Sequence, residues 1–398
     1  MSGPIMNVYN SAPIEPVRGA GVWLYDAGGN AYLDCVSGVA TNALGHAHPI
    51  LVAALKDQAD KLWHVSNIFT VPGQRALAER LIAACFADVA FFCNTGTEAV
   101  ECAIKVARRY HAQRGAADRI DVIGFGGSFH GRTYAAINAS GNAGHLDGFG
   151  PALPGYVHVS LDDPAAITAA IARPTTAAVI VEPVQGGGGA RALTGDELLR
   201  LRRPCTAHGV LLIHDEVQSG MGRTGRLFAH QWFEGVAPDI MAVAKALGSG
   251  FPVGACLATH DAASGMTPGT HGSTFGGNPL GMAVAIAAFD EISKPETLAH
   301  ARAVSDHLRT ALLALQTAYP DLVLEIRGKG LLIGLKLEPN NREFMAKARE
   351  HGLLVAGGGE NCVRLLPPLI LSFAEADEIV RRLDATCGAM RAVLVGVA

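Results

Sequence analysis

Lysine is the least frequent charged residue of this 398-residue chain. Eight positions carry it (56, 61, 105, 245, 294, 329, 336 and 347), which leaves twenty-four arginines among 32 basic residues. Basic charge is not in excess either. Asp and Glu number 36, so the net charge is −4, and no global positive field draws the chain to nucleic acid or anionic lipid. Long apolar runs are missing: the longest uncharged apolar stretch, around Leu280–Phe289, is about half a membrane span. The opening Met1–Pro16 has no basic region followed by an apolar one, so no secretory signal is read. A soluble, cytoplasmic protein without membrane or nucleic-acid partners is expected. No CxxC pair occurs among the eight cysteines (35, 85, 93, 102, 205, 256, 362 and 387). That spacing speaks against a zinc ribbon or dithiol site and for reduced, mostly buried thiols.

Several nucleotide and nucleophile motifs are also missing. There is no GxxxxGK[ST], and the one Gly-Lys pair, Gly328-Lys329, lacks the upstream glycine. No GxSxG elbow occurs; Gly126-Gly127-Ser128-Phe129-His130 ends in histidine. Gly220-Met-Gly-Arg-Thr-Gly225 spells GxGxxG, but Asp215–Ser219 separate it from the preceding strand, so it reads as a chance match. His46-Ala47-His48 has no third ligand at sensible spacing, and no metal is expected.

What is present is a large apolar fraction, 49%, enough for an extensive core and incompatible with a disordered chain. At about 150 residues per domain the length suggests two to three domains. The 47 glycines follow no collagen period and belong in turns and close backbone approaches. Short strands are expected at Val22–Asp26 and Ala31–Asp34, around the turn Gly28-Gly29-Asn30. Apolar runs at Ala90–Cys93, Asp121–Phe125, Ala177–Glu182, Val210–His214 and Gly254–Thr259 then alternate with helical patterns at Ile50–Leu62, Gln74–Ala84, Glu98–Arg109 and Asp196–His208. That alternation predicts an α/β fold with a mostly parallel, doubly wound sheet over residues 46–279. Residues 280–398 change pattern: helices Leu280–Ile292 and Thr297–Ala318, strands Val323–Arg327 and Leu331–Leu337, helix Arg342–His351, strand Cys362–Leu366 and helix Ala374–Leu394. They predict a smaller α+β domain, which residues 1–45 join.

Four stretches carry chemistry. Val210–His214 leads into Asp215-Glu216, then Val217-Gln218-Ser219-Gly220. In an open parallel sheet, ligands sit beyond the carboxyl ends of the strands, and an Asp there meets a cation or a proton donor, or caps a helix. Lys245 is flanked by apolar residues on both sides. A desolvated lysine has a depressed pKa and serves as a Schiff-base amine; a snorkelling lysine at a strand end is the plainer reading. Asn94-Thr95-Gly96-Thr97-Glu98 opens a helix with apolar Val100, Ala103, Ile104 and Ala107 on one face. Thr95 and Glu98 fit a capping box, and the free amides suit a phosphate or are an ordinary helix start. Ser128-Phe129-His130-Gly131-Arg132-Thr133 puts an aromatic, an imidazole and an arginine on one loop, which is either a ring-stacking and carboxylate-clamping element or a surface turn. Together the four supply what pyridoxal phosphate needs: a phosphate cradle, a stacking ring, an acid for the ring nitrogen and a desolvated lysine.

With these residues in view, the chain resembles the class III aminotransferases of fold type I, most of all their acetylornithine branch. The resemblance runs nearly end to end. It rests on Tyr32-Leu-Asp34, Asn42-Ala-Leu-Gly-His-Ala-His-Pro49, His64-Val-Ser-Asn67, Asn94-Thr-Gly-Thr-Glu-Ala99, Ser128–Thr133, Glu182-Pro-Val-Gln-Gly186, Asp215–Gly225, Ala244-Lys245, His271–Pro279, Arg327-Gly-Lys-Gly330 and Val363–Leu369. The resemblance implies that Lys245 is the Schiff-base lysine and proton carrier. It implies that Asp215 pairs with the ring nitrogen of pyridoxal 5'-phosphate, Gln218 with the ring hydroxyl, and that Val217 and Phe129 cover the two ring faces. Gly96 and Thr97 would hold the phosphate. Ser273 and Thr274 would join the cofactor site, Thr274 reaching the neighbouring site of a homodimer. Arg132 would take the substrate carboxylate farthest from the reacting nitrogen and Arg364 the α-carboxylate of glutamate, with Val39, Asn67 and Glu182 completing the substrate pocket.

The implied reaction is transamination of N-acetylornithine with 2-oxoglutarate, giving N-acetylglutamate 5-semialdehyde and glutamate, as in arginine biosynthesis. A broad ω-amino acid transaminase acting on succinylornithine, ornithine or 4-aminobutyrate is the alternative on the same fold. A binding protein without chemistry is the alternative of another class. Three positions depart from the family pattern: Gly187 where a glutamate usually follows Gly186, Ala246 for glycine, and Phe275 for tyrosine. The missing carboxylate would ordinarily pair with Arg364, and Glu360, four residues before Arg364, is the candidate substitute.

Overall fold

The computed structural model describes residues 4–394. It begins with an antiparallel meander of β1 (Pro16–Ala20), β2 (Trp23–Asp26) and β3 (Ala31–Asp34). The turn between β2 and β3 is the expected Gly28-Gly29-Asn30, where Gly29 takes φ +83° and Asp26 Oδ1 accepts the Asn30 amide at 2.9 Å.

The central sheet comprises β4 (Val89–Cys93), β5 (Asp121–Phe125), β6 (Tyr156–Val159) and β7 (Thr176–Val181), then, after a small hairpin of β8 (Val184–Gln185) and β9 (Arg191–Ala192), β10 (Leu211–Asp215), β11 (Ile240–Val243) and β12 (Gly254–Ala258). The spatial order is β4-β12-β11-β10-β7-β5-β6. Strand β12 runs antiparallel to both of its neighbours, and every other pairing is parallel. The reversal follows from chain length. A parallel crossover needs a dozen or more residues, and only 244–253 separate β11 from β12, with Lys245 among them.

Both faces of this sheet are covered. Ala178 and Ile180 of β7 pack with Val100, Ala103, Ile104 and Ala107 of helix Gly96–Gln113. Their neighbours Val179 and Val181 point the other way, to Leu198, Leu201 and Cys205 of helix Gly195–His208. Period-two alternation along one strand thus feeds two apolar layers, which is the doubly wound arrangement read from the sequence. Strands β6 and β11 were not expected. β6 reads Tyr-Val-His-Val, half-exposed at the sheet edge, and β11 is a four-residue apolar run, too short to classify by periodicity.

The C-terminal part has β13 (Val323–Lys329), β14 (Leu332–Leu337), β15 (Leu353–Leu354), β16 (Ala356–Gly358) and β17 (Cys362–Leu365), with helices Pro279–Ile292, Pro295–Ala318, Asn341–Glu350 and Phe373–Leu394. One sheet runs β13-β14-β17-β16. Strand β15 instead pairs in parallel with β3, Leu353 opposite Leu33, so the opening meander and the late segment share a sheet. No helix of the described residues is long and apolar enough to cross a membrane.

Candidate active site

Strand β10 is buried along its whole length and delivers Asp215 to its carboxyl end. The Asp215 carboxylate is fixed on two sides: Oδ1 accepts the Val217 amide at 3.0 Å, and Oδ2 lies 2.7 Å from His130 Nδ1. Burial alone would pull the His130 imidazole down, but the hydrogen bond to Asp215 and the charges of Asp215 and Glu182 raise it above its ordinary value. A ring N–H facing the Asp215 carboxylate gives that buried charge a partner in a dry setting. The sequence placed His130 on the right loop but gave it no task. Its partner is 85 residues away, beyond any local signal.

Glu182 follows the end of β7. Its two oxygens accept the amides of Phe129 at 2.8 Å and Gly186 at 3.1 Å, so this carboxylate ties two loops together at the cavity wall. Burial pushes it up to about 7, against the pull of His130.

Lys245 stands directly after Ala244 in the short connection from β11 to β12, with φ +44°. Desolvation brings its amine down to about 8, although the charge of Asp215 works in the opposite direction. A lysine in this range is partly neutral, and hence nucleophilic, near neutral pH. Lys105, by contrast, is exposed and pairs with His271 Nδ1 at 2.8 Å.

At the start of helix Gly96–Gln113, Thr95 Oγ1 accepts the Glu98 amide at 3.3 Å. Glu98 reaches back one residue farther than a capping box requires, to the Asn94 amide at 2.9 Å. The amides of Gly96 and Thr97 have no intrahelical partner, as at any helix start. A Cβ at residue 96 would come within 2.6 Å of Val217 Cγ1, so only glycine lets the backbone lie this close to Val217. Thr97 Oγ1 meets Thr133 Oγ1 at 3.0 Å. On the neighbouring loop the exposed Arg132 places its guanidinium 5.6 Å from the Phe129 ring centre.

Arg364, on β17, donates through Nε and Nη2 to the Gly357 carbonyl at 3.0 and 2.7 Å. Its Nη1 donates to the Gly186 carbonyl at 3.0 Å and to Gln218 Oε1 at 3.3 Å. Gln218 in turn donates to the Val39 carbonyl at 3.4 Å. Glu360 is not the substitute partner. It is bound to Arg327 Nη1 at 2.6 Å, and Arg327 also holds Glu325. The four-residue spacing brings side chains together on a helix. Here Glu360 and Asn361 form the turn between β16 and β17, with φ +52° and +57°, and Glu360 projects outward to β13.

Val39, Gly96, Thr97, Phe129, Arg132, Glu182, Asp215, Val217, Gln218, Lys245 and Arg364 all line one cavity of about 650 Å³. Val39 enters it from a left-handed run, Ser37 to Ala40, with φ between +48° and +64°. Three expected residues lie elsewhere in the single chain. Asn67 donates to the carbonyls of Ser273 and Gly276 at 3.0 Å each. Ser273 Oγ accepts from Asn94 Nδ2 at 3.1 Å and from the Gly276 amide at 3.0 Å, and Thr274 is exposed. His46 is taken by Asp34 at 2.8 Å. The Gly220–Gly225 stretch winds into tight turns around the buried Arg223 and opens no α-helix.

Comparison with known proteins agrees with this geometry. A family model described as Aminotransferase class-III matches residues 5–387. Acetylornithine aminotransferase 2 of Caulobacter vibrioides is 61% identical over 98% of this chain and 96% of its own length. Acetylornithine aminotransferase of Agrobacterium fabrum is 50% identical over 98% of each chain. The crystal structure of N-acetylornithine aminotransferase from Stenotrophomonas maltophilia superposes with a TM-score of 0.85 at 36% identity, over 97% of this chain and 98% of the other. That of ornithine aminotransferase from Toxoplasma gondii gives 0.93 at 32% identity, over 98% and 93%.

Proposed function

Since the chain belongs to the class-III aminotransferases, we propose that it transfers the terminal amino group of N-acetylornithine to 2-oxoglutarate, as an enzyme of arginine biosynthesis. The observation that carries the chemistry is the lowered amine of Lys245 on the same cavity as the Asp215–His130 pair. The names of the relatives support the substrate. So does Val39, whose small apolar side chain leaves room for an acetyl group. The test is a side-by-side assay of N-acetylornithine, succinylornithine, ornithine and 4-aminobutyrate. N-Acetylornithine is expected to give the highest kcat/KM; equal values would favour the broad ω-transaminase reading, and no turnover the binding-protein reading.

The residues present fit the family's cofactor, pyridoxal phosphate: glycine clearance at the helix start, a fixed carboxylate, an aromatic face and a low-pKa amine share one cavity. When bound, it supplies an aldehyde for Schiff-base formation and a cationic ring that withdraws electrons. Gly96 and Thr97 would hold the phosphate through their amides. Phe129 and Val217 would bracket the ring, and Gln218 would meet its hydroxyl. Asp215, oriented by His130, would hold the proton on the ring nitrogen. Lys245 would take up and return the proton of the substrate carbon. Arg132 binds the distal carboxylate of either substrate, and Arg364 the α-carboxylate of glutamate.

Arg132→Ala is therefore expected to raise KM for N-acetylornithine and 2-oxoglutarate alike, by roughly 10- to 100-fold, the scale of a charge-assisted hydrogen bond. Steady-state kinetics with each substrate varied in turn will show whether one clamp serves both; a rise for only one assigns the other carboxylate elsewhere.

Position 187 tunes the two half-reactions. The carbonyls of Gly186 and Gly357 and the Gln218 amide oxygen already occupy Arg364, but none of them is charged. A Cβ at 187 would sit 3.0 Å from Phe129 Cβ, so a longer side chain shifts that ring slightly. Gly187→Glu is expected to move the kcat/KM ratio towards N-acetylornithine over glutamate by about 1 kcal/mol, the net worth of one added hydrogen bond. Pre-steady-state spectra with each donor measure it. An unchanged ratio means that the neutral acceptors already suffice.

The working unit in this reading is a cytoplasmic homodimer in which Thr274 reaches the partner's phosphate site and Ser273 joins the cofactor site. Exposed Trp63, Ile68, Phe69 and Phe275 lie on the segments that Asn67 links to Ser273 and Gly276, and clustered exposed apolar side chains mark an interface. We further propose that residues 46–279 form the cofactor domain and that 1–45 belong with 280–398, a division supported by the β3–β15 pairing.

A further inference from the structure

Behind Asp215 the fold gathers three buried metal-ligating side chains that the transaminase chemistry leaves unused. His214 lies on β10, opposite Val181 of β7 and Met241 of β11. It is fully buried, and neither ring nitrogen has a hydrogen-bond partner among the described residues. Glu216, equally buried, accepts the amides of Ala229 and His230, and its Oε1 lies 2.9 Å from His230 Nδ1. His230 belongs to the 3-10 turn Ala229–Trp232; its ring stacks on Phe228 and meets Phe86 edge-on. One ligating atom from each of the three residues lies within 4.8 Å of the other two. None of them lines the cofactor cavity.

We propose that His214, Glu216 and His230 bind a first-row divalent transition ion, zinc being the best match, and that this ion braces the strand end that carries Asp215. Two imidazoles and one carboxylate are borderline donors of the kind zinc takes, whereas calcium and magnesium favour oxygen throughout. An imidazole nitrogen that is not already taken can offer its lone pair, and both nitrogens of the buried His214 ring are without a hydrogen-bond partner among the described residues. Without an ion, that ring leaves two polar atoms unsatisfied in an apolar layer, a condition native interiors avoid. Ligand atoms around tetrahedral zinc stand about 3.4 Å apart, given metal–ligand distances near 2.1 Å. The triad therefore draws in by up to about 1.4 Å at its widest, and the His214 ring, which no hydrogen bond among the described residues anchors, is the part free to turn. Three protein ligands leave the fourth position to a small ligand such as one buried water. The ion joins β10 to the turn Ala229–Trp232 and grips the residues on both sides of Asp215. This site does not rest on the identity of the amino donor.

The test uses the full-length protein loaded with pyridoxal phosphate and freed of metal by a chelator, followed by zinc titration and elemental analysis. One zinc per chain is expected, with a dissociation constant of ~1 μM or tighter, together with a rise in Tm. His214→Phe and His230→Gln, which keeps a donor towards Glu216, should each weaken zinc binding by roughly 100-fold or more. Absence of stoichiometric zinc in the unmodified protein overturns the proposal whether or not the variants fold. So does undiminished zinc binding in both folded variants, which would put the ion elsewhere, or magnesium binding as tight as zinc.

Discussion

Replacing Lys245 with alanine is expected to lower turnover by ~10⁴-fold or more while leaving the fold intact. That loss corresponds to roughly 5 kcal/mol of barrier and is the upper range for removing a positioned general base. The fold is spared because, among the described residues, the lysine's amine makes no hydrogen bond that holds other parts together. Denaturing mass spectrometry after borohydride reduction reads the assignment directly: the unmodified chain gains a cofactor mass on the peptide containing Lys245, and the variant gains none. An adduct surviving on another lysine would remove Lys245 from the mechanism. The pH dependence adds a second check. A lowered amine pKa means that the neutral, reactive form dominates above about pH 8, instead of above the ordinary lysine range. At pH 7 the neutral fraction is then roughly 300-fold larger than for an ordinary lysine. The rate of cofactor attachment to the cofactor-free protein is expected to rise with pH and level off just above 8; a plateau delayed to pH 10 or beyond would mean that the lysine is solvated.

Asp215→Asn is expected to retain the cofactor and lose at least ~100-fold in single-turnover rate, about 2.7 kcal/mol. An amide cannot hold a proton on a ring nitrogen by charge. The change also strands His130, whose raised pKa depends first on the hydrogen bond to Asp215. With that partner neutral, the terms that raise the imidazole are weakened and desolvation pulls it down. Breaking one side of a buried pair destabilises the fold, so Tm falls as well, and the rate must be taken on folded, cofactor-saturated protein. The variant ties the two predictions together. Asp215 raises the Lys245 amine, so its neutralisation moves the attachment midpoint still lower. A rate loss below about tenfold would mean that another group protonates the ring.

How much of this was legible depends on whether the information is local. Helix Gly96–Gln113 could be read because Val100, Ala103, Ile104 and Ala107 repeat at helical spacing behind a threonine cap. Asp215 and Lys245 could be read because each breaks an apolar run, which is costly without a purpose. The reversal of β12 was hidden in the length of the connection before it, not in its composition. The His130–Asp215 pair joins the ends of β5 and β10 and has no sequence spacing to betray it. Glu360 misled because the four-residue rule holds on a helix and fails in a hairpin turn with left-handed residues. His214 and His230 gave no signal, because sixteen residues separate them and nothing local pairs them.

The pairing of β3 with β15 has a consequence for synthesis. The Leu33 amide donates to the Gly352 carbonyl at 2.9 Å, and the Cys35 amide to Leu354. The cavity therefore draws on residue 39 at one end of the chain and on residue 364 at the other. A ribosome that has delivered the whole central sheet has still not delivered the strand against which the opening meander lies. Until then the apolar faces of Val22, Leu33 and Leu44, all buried in the finished core, have no late partner. Closing so long a loop is slow, and the nascent chain is exposed to aggregation while it waits. Molecules released before residue 365 thus carry the central sheet but no closed pocket, and their sticky N-terminal strands mark them for chaperones and proteases.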